Sequence, residues 1–97
     1  MLKEKQLLSH VRVVQMEGHI VSNMNNEKVM LSVTNGKYYN LGEIGGVIWD
    51  MIEKPISIEK VINSLFNMYE VNYQECEEQV ILFLSSLQRE GLLTTSE

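Results

Sequence analysis

The chain has 97 residues, 44% of them apolar, and a net charge of −5. This is one domain with a modest core, and the composition excludes disorder. The charge is uneven: residues 1–69 hold seven acids and seven bases, whereas residues 70–97 hold six glutamates against one arginine. No apolar run approaches the ~20 residues of a membrane span, and MLKEKQLLSH lacks the apolar stretch and cleavage site of a secretory signal. A single cysteine, Cys76, forms no internal disulfide, so a cytoplasmic location is expected.

Residues 1–10 read as a flexible tail. VRVVQ (11–15) and HIVSNM (19–24) are rich in β-formers, and VMLSV (29–33) alternates, with Val29, Leu31 and Val33 on one face. Asn35-Gly36 is a strong hairpin signal, since both central positions of that turn need positive φ, and KYYNL (37–41) returns from it. Of the two leading segments, 19–24 is favoured to pair with this hairpin, and the place of 11–15 stays open.

From Glu43 the period changes. Ile44, Val47, Ile48, Met51 and Ile52 fall at helical spacing with Trp49 on the flank, and Lys54-Pro55 ends the helix. Ser57 caps a second helix that turns Ile58, Val61, Ile62, Leu65 and Met68 inward. Asn72 and Glu75 open a third helix, which runs to about Glu90 and stops at Gly91. Strands followed by helices make an α+β fold: a winged-helix-like domain over 1–97, with a three-stranded antiparallel sheet followed by three helices.

Catalytic chemistry is missing. His10 and His19 have no cysteine or aspartate partner and read as surface histidines; Cys76 sits on an apolar stripe and reads as a small buried hydrophobe. Asp50 faces away from the first helix's stripe. Glu77 and Glu78 point about 100° apart, which suits a solvated face better than an acid pair. GEIGG (42–46) has neither the dinucleotide nor the P-loop spacing, so a cap at Gly42 and close packing at Gly45 or Gly46 are expected. No catalytic residue, metal or cofactor is expected, and the chain does not read as an enzyme.

DNA binding is the first alternative for a three-helix unit with a wing, but the third helix carries only Arg89 among its glutamates and would be repelled by phosphate. Its apolar stripe (Tyr73, Cys76, Val80, Phe83, Leu84, Leu87) is broad, with Ile81 on one margin and Leu82 on the polar side. A broad stripe beside an open strand edge makes a groove for an extended peptide.

GKYYNLGEIGGVIWDMI, SIEKVINSLFNMYEVN and VILFLSSLQREGLL together resemble the PqqD-like family, the RiPP recognition elements, over about residues 19–94. The ordered pieces are Tyr38, Tyr39 and Leu41, then Gly45, Ile48-Trp49, Tyr69-x-Val71, and Leu87 with Gly91, Leu92 and Leu93. Gly42 departs from the family's frequent asparagine. The resemblance implies a non-catalytic binder of a precursor's leader peptide, which would lie antiparallel on the third strand and pack on the third helix. A free-standing chain of this size is similar to the recognition half of split lasso-peptide B proteins, whose partner is a leader peptidase. It is also similar to PqqD itself, a peptide chaperone for a radical enzyme. The peptide-binding residues so implied are Lys37, Tyr38, Tyr39, Asn40 and Leu41 on the strand, with Cys76, Val80 and Phe83 on the helix and Glu77 and Ile81 as the other margin. A winged-helix regulator and a scaffold domain remain the competing classes; neither nucleic acid nor membrane is an expected partner.

Overall fold

The computed structural model describes residues 10–33 and 35–96, so the expected tail, apart from His10, lies outside the described residues. In chain order the elements are β1 (Arg12–Gln15), β2 (His19–Met24), β3 (Glu27–Ser32), β4 (Tyr38–Leu41), α1 (Gly42–Met51), β5 (Ile56–Ser57), α2 (Ile58–Met68), α3 (Tyr73–Arg89) and β6 (Leu93–Ser96). They form two antiparallel three-stranded sheets, β2-β3-β4 and β5-β1-β6, and three helices.

The first sheet is the one the sequence predicts, but the two-residue hairpin joins β2 to β3 rather than β3 to β4. Asn25 and Asn26, at φ +53° and +68°, join β2 to β3 as a two-residue hairpin with both central positions left-handed. Asn35-Gly36 instead belongs to the longer β3–β4 connection, closed by the Ser32 N–H donating to Lys37 C=O at 2.9 Å. Only one glycine, Gly36 at φ +73°, is needed there to turn the chain back, and its N–H donates to Ser32 C=O.

The second sheet corrects the expectation of a single one. VRVVQ does not join the hairpin; it forms the centre of a separate sheet between β5 and β6. Val11 and Val13 are buried there with Ile52, Ile58, Leu92 and Leu93. β6 exists because Gly91, at φ +76°, turns the chain sharply out of α3. Its N–H donates to Gln88 C=O at 3.1 Å and the Leu92 N–H to Leu87 C=O at 2.9 Å, with both leucines buried. This paired closure satisfies two orphan carbonyls and sends the chain back along β1.

α2 and α3 begin where their caps predict, whereas α1 starts at Gly42 itself, behind Leu41, without a side-chain cap. Ser57 Oγ accepts from the Lys60 N–H at 3.3 Å, and Asn72 Oδ1 accepts from the Glu75 N–H at 3.1 Å. α1 differs from its expected stripe. Gly45, Gly46, Ile48, Trp49 and Ile52 are buried, Val47 and Met51 only partly, and Ile44 stays 49% exposed. The two glycines decide this rotation by letting neighbours approach the α1 backbone. A Cβ on Gly45 would sit 2.9 Å from the Phe83 ring, and one on Gly46 would sit 2.8 Å from Lys28 Cβ. Lys28 then reaches past α1 to pair with Asp50 at 2.6 Å.

Two further expectations are corrected. His19 is half-buried, edge-on to Trp49 with ring centroids 6.2 Å apart, and both its ring nitrogens are buried without a hydrogen-bond partner. It is a packing residue, since the hairpin folds its first strand down onto α1. Tyr73 is exposed, stacks on Phe66 and donates to Asn63 Oδ1 at 3.2 Å, because α3 begins before the core does.

Candidate functional site

Among the described residues, β4 is bonded on one side only. The Ser32–Lys37 bond fixes which of its groups are used: Lys37 and Tyr39 turn N–H and C=O toward β3, and Tyr38 and Asn40 turn theirs outward. The side chains alternate the other way. Tyr39, opposite Met30, and Leu41 pack on the core, whereas Tyr38 and Asn40 stand on the outer face. The free edge therefore offers a row of backbone donors and acceptors held in place by two anchored side chains.

Contacts on both sides of the β4–α1 junction fix its course along α3. At the start of β4, Tyr39 Oη donates to Glu90 Oε1 at 2.8 Å, Asn35 Nδ2 donates to Tyr39 Oη at 3.0 Å, and Lys37 Nζ lies 3.3 Å from the same Glu90 oxygen. The Tyr39 hydrogen bond first, then Lys37, holds the Glu90 carboxyl below its ordinary range. Further on, Gly45 meets Phe83. Beyond that, Ile44, Leu65, Tyr69, Val71, Glu75, Cys76 and Gln79 line an apolar cavity of about 190 Å³. β4 and the start of α1 thus run from the C-terminal end of α3 toward its N-terminal end. The cavity exceeds the ~150 Å³ that suffices for a benzene-sized guest, so it takes one large apolar side chain.

The sequence-derived site residues fall into three groups in space. Lys37, Tyr38, Tyr39, Asn40 and Leu41 form or precede the free edge. Cys76 and Val80 are buried, and half-buried Phe83 lies over Gly45, on the α3 margin that faces α1 and β4. Glu77 and Ile81, half-buried, lie about 100° and 140° around the helix from Cys76, on the opposite margin. Gln79 and Glu90 complete the facing margin, Ile44 lines the cleft from α1, and none of the three was named as a site residue from sequence. Their signal was positional, since Gln79 and Glu90 share a helical face with Phe83. Burial raises the Cys76 thiol above its ordinary value, and its Sγ sits 3.8 Å from Ile62 C=O. Among the described residues no group of His, Cys, Asp and Glu side chains is placed to hold a metal ion, and no helix is long and apolar enough to cross a membrane.

Known structures share this architecture. The chain superposes with a TM-score of 0.74 and 24% identity, covering 82% of itself and 93% of the other chain, on TbiB1 in complex with the TbiA(beta) leader peptide. A lasso peptide synthetase B1 complexed with the leader peptide gives 0.73 at 21% identity, covering 84% and 96%. No curated protein matches the chain. The family model for coenzyme PQQ synthesis protein D (PqqD) matches residues 27–93, from β3 through the first residue of β6, and so takes in the free edge, all three helices and the cavity between them. The chain belongs to the PqqD family.

Proposed function

We propose that this chain is a non-catalytic adaptor that captures the leader segment of a ribosomally made precursor peptide as an added strand on β4 and presents it to a maturation enzyme. The observation that carries the reading is the outward-facing backbone of Tyr38 and Asn40 beside α3, with an apolar cavity further along the same cleft. An extended peptide gains affinity from main-chain bonds at such an edge and selectivity from side-chain pockets. The similar structures, both solved with leader peptides, support this occupant. The helix side of the groove is formed by Cys76 and Val80 as its floor, with Phe83 and Gln79 on the rim; Glu77 and Ile81 are the fallback margin. The enzyme we assign is a lasso-peptide leader peptidase, acting in the cytoplasm, where Cys76 stays reduced.

Amide exchange with and without a leader peptide tests the mechanism. Tyr38 and Asn40 are expected to slow together with the first half of α3, while Tyr39 is already protected by its bond to β3. Protection confined to α2 would discard strand addition. A peptidase partner is expected to show a lower apparent KM in the presence of the chain, because capture raises the local substrate concentration. A chain that cleaves or modifies the peptide by itself would refute the adaptor reading. The second reading, a peptide chaperone for a radical enzyme, draws on the family's description as a PQQ synthesis protein. Side-by-side pull-downs with the two enzyme classes separate them.

A further inference from the structure

The opposite edge of the same sheet has an unsatisfied backbone of its own. Among the described residues β2 bonds only to β3, and its residues from Ile20 to Met24 are all exposed. The Val33 N–H donates to Gly18 C=O at 3.1 Å, which sets the alternation along the pair. Ile20, Ser22 and Met24 therefore bond inward to β3, and His19, Val21 and Asn23 turn their N–H and C=O to the open side. The edge carries none of the protective residue types: HIVSNM has no lysine, proline or carboxylate. On the sheet's outer face Ile20, Leu31 and Tyr38 line up in register, 57%, 44% and 59% exposed, with Met24 at 55% further along β2.

We infer that β2 is a self-association edge at which a second copy of this chain pairs antiparallel, about a two-fold axis through Ser22. Centring on Ser22 makes Val21 and Asn23 hydrogen-bonded partners across the axis, using the outward groups. It also sets Ile20 of one copy against Met24 of the other, twice, and joins the two apolar outer faces. The edge itself argues for a second copy as the occupant, because the register about Ser22 is self-complementary. Glu75, Glu77, Glu78 and Glu90 lie on or at the end of α3, which borders β4, so joining at β2 keeps these acidic helices on the far sides of the dimer, where they repel least. Both β4 edges stay free, so the inference does not depend on what β4 binds.

Sedimentation equilibrium on the full chain, from micromolar to several hundred micromolar, tests it. A concentration-dependent dimer is expected. Val21→Pro removes only an outward donor, which an edge strand tolerates, and Ile20→Lys charges the outer face; both are expected to stay monomeric with unchanged circular dichroism. Amide exchange on the unaltered protein covers the case of a variant that misfolds. On raising concentration, His19, Val21 and Asn23 should slow while Tyr38 and Asn40 do not. A monomer at every concentration, a dimer undiminished in both folded variants, protection at Tyr38 and Asn40, growth beyond dimer, or dissociation by leader peptide would each overturn the inference.

Discussion

β2 and β4 are the two edges of one sheet, and they are built differently. β4 alternates between exposed and half-buried residues, and its inner side chains reach α3 and the core. β2 leaves five of its six residues exposed and is anchored below by His19 against Trp49. Both present unpaired backbone, but only β4 presents it at a fixed distance from a helix and a cavity. A rigid edge beside a pocket can select a sequence. A loosely seated edge can only supply pairing, which suits a partner whose own strand brings the complementarity.

The largest expected effect separates what seats the sheet from what decorates it. Met30, 1% exposed between Val21 and Tyr39, is the inner-face anchor shared by both edges. Met30→Ala should cost about 2–5 kcal/mol in urea unfolding, whereas Ile20→Ala should stay within about 0.5 kcal/mol. Equal costs would mean that β2 is not loosely seated. Next, Tyr38→Pro removes one outward donor from β4 and should weaken leader binding about tenfold, the worth of roughly one net hydrogen bond. The matching Val21→Pro change on β2 should leave leader affinity alone. Titration with labelled peptide reads both.

Smaller effects test the α3 side of the cleft. Glu90 has its carboxyl lowered by Tyr39 and Lys37, so the folded state gains stability above the ordinary glutamate value of 4.5, and the gain disappears as pH falls through the lowered value. Melting curves from neutral pH to about pH 3 should therefore fall less steeply for Glu90→Gln. The opposite slope would mean that the bridge does not hold β4. Smallest is Cys76. Burial raises its thiol above the ordinary 9.0, so iodoacetamide should label the folded chain more slowly than the urea-unfolded one. Cys76→Ala should keep leader affinity within a few-fold.

The sequence was most informative where one local rule governs the outcome. Ser57, Asn72 and Gly91 each mark a helix end by capping chemistry, and each sits where expected. Ile58, Val61, Ile62 and Leu65 follow one period and are buried together, whereas Met68, expected with them, is exposed at the end of the helix. It failed where two distant segments decide together. The sequence leaves the place of VRVVQ open because pairing partners are invisible in one strand's composition, and its neighbours, Ile56-Ser57 and Leu93–Ser96, are too short to carry a period. α1 misled for a related reason: hydrophobicity favours Ile44 as a core position, but the glycines choose the packing face by size. Of the site, β4 was legible as an aromatic strand beyond a turn. On the facing margin of α3 the apolar stripe leads to Phe83, but not to Gln79 and Glu90, because they are polar.

The sharp turn at Gly91 has a consequence for how the chain reaches this structure. β1 emerges first from the ribosome, yet Arg12 pairs with Ser96, about 80 residues later in synthesis. The β2–β3 hairpin can close within microseconds of its own completion, while β1 must wait for nearly the whole chain. The second sheet is thus the last part to be sealed, and removing residues 93–96 should leave a folded hairpin beside an unfinished core.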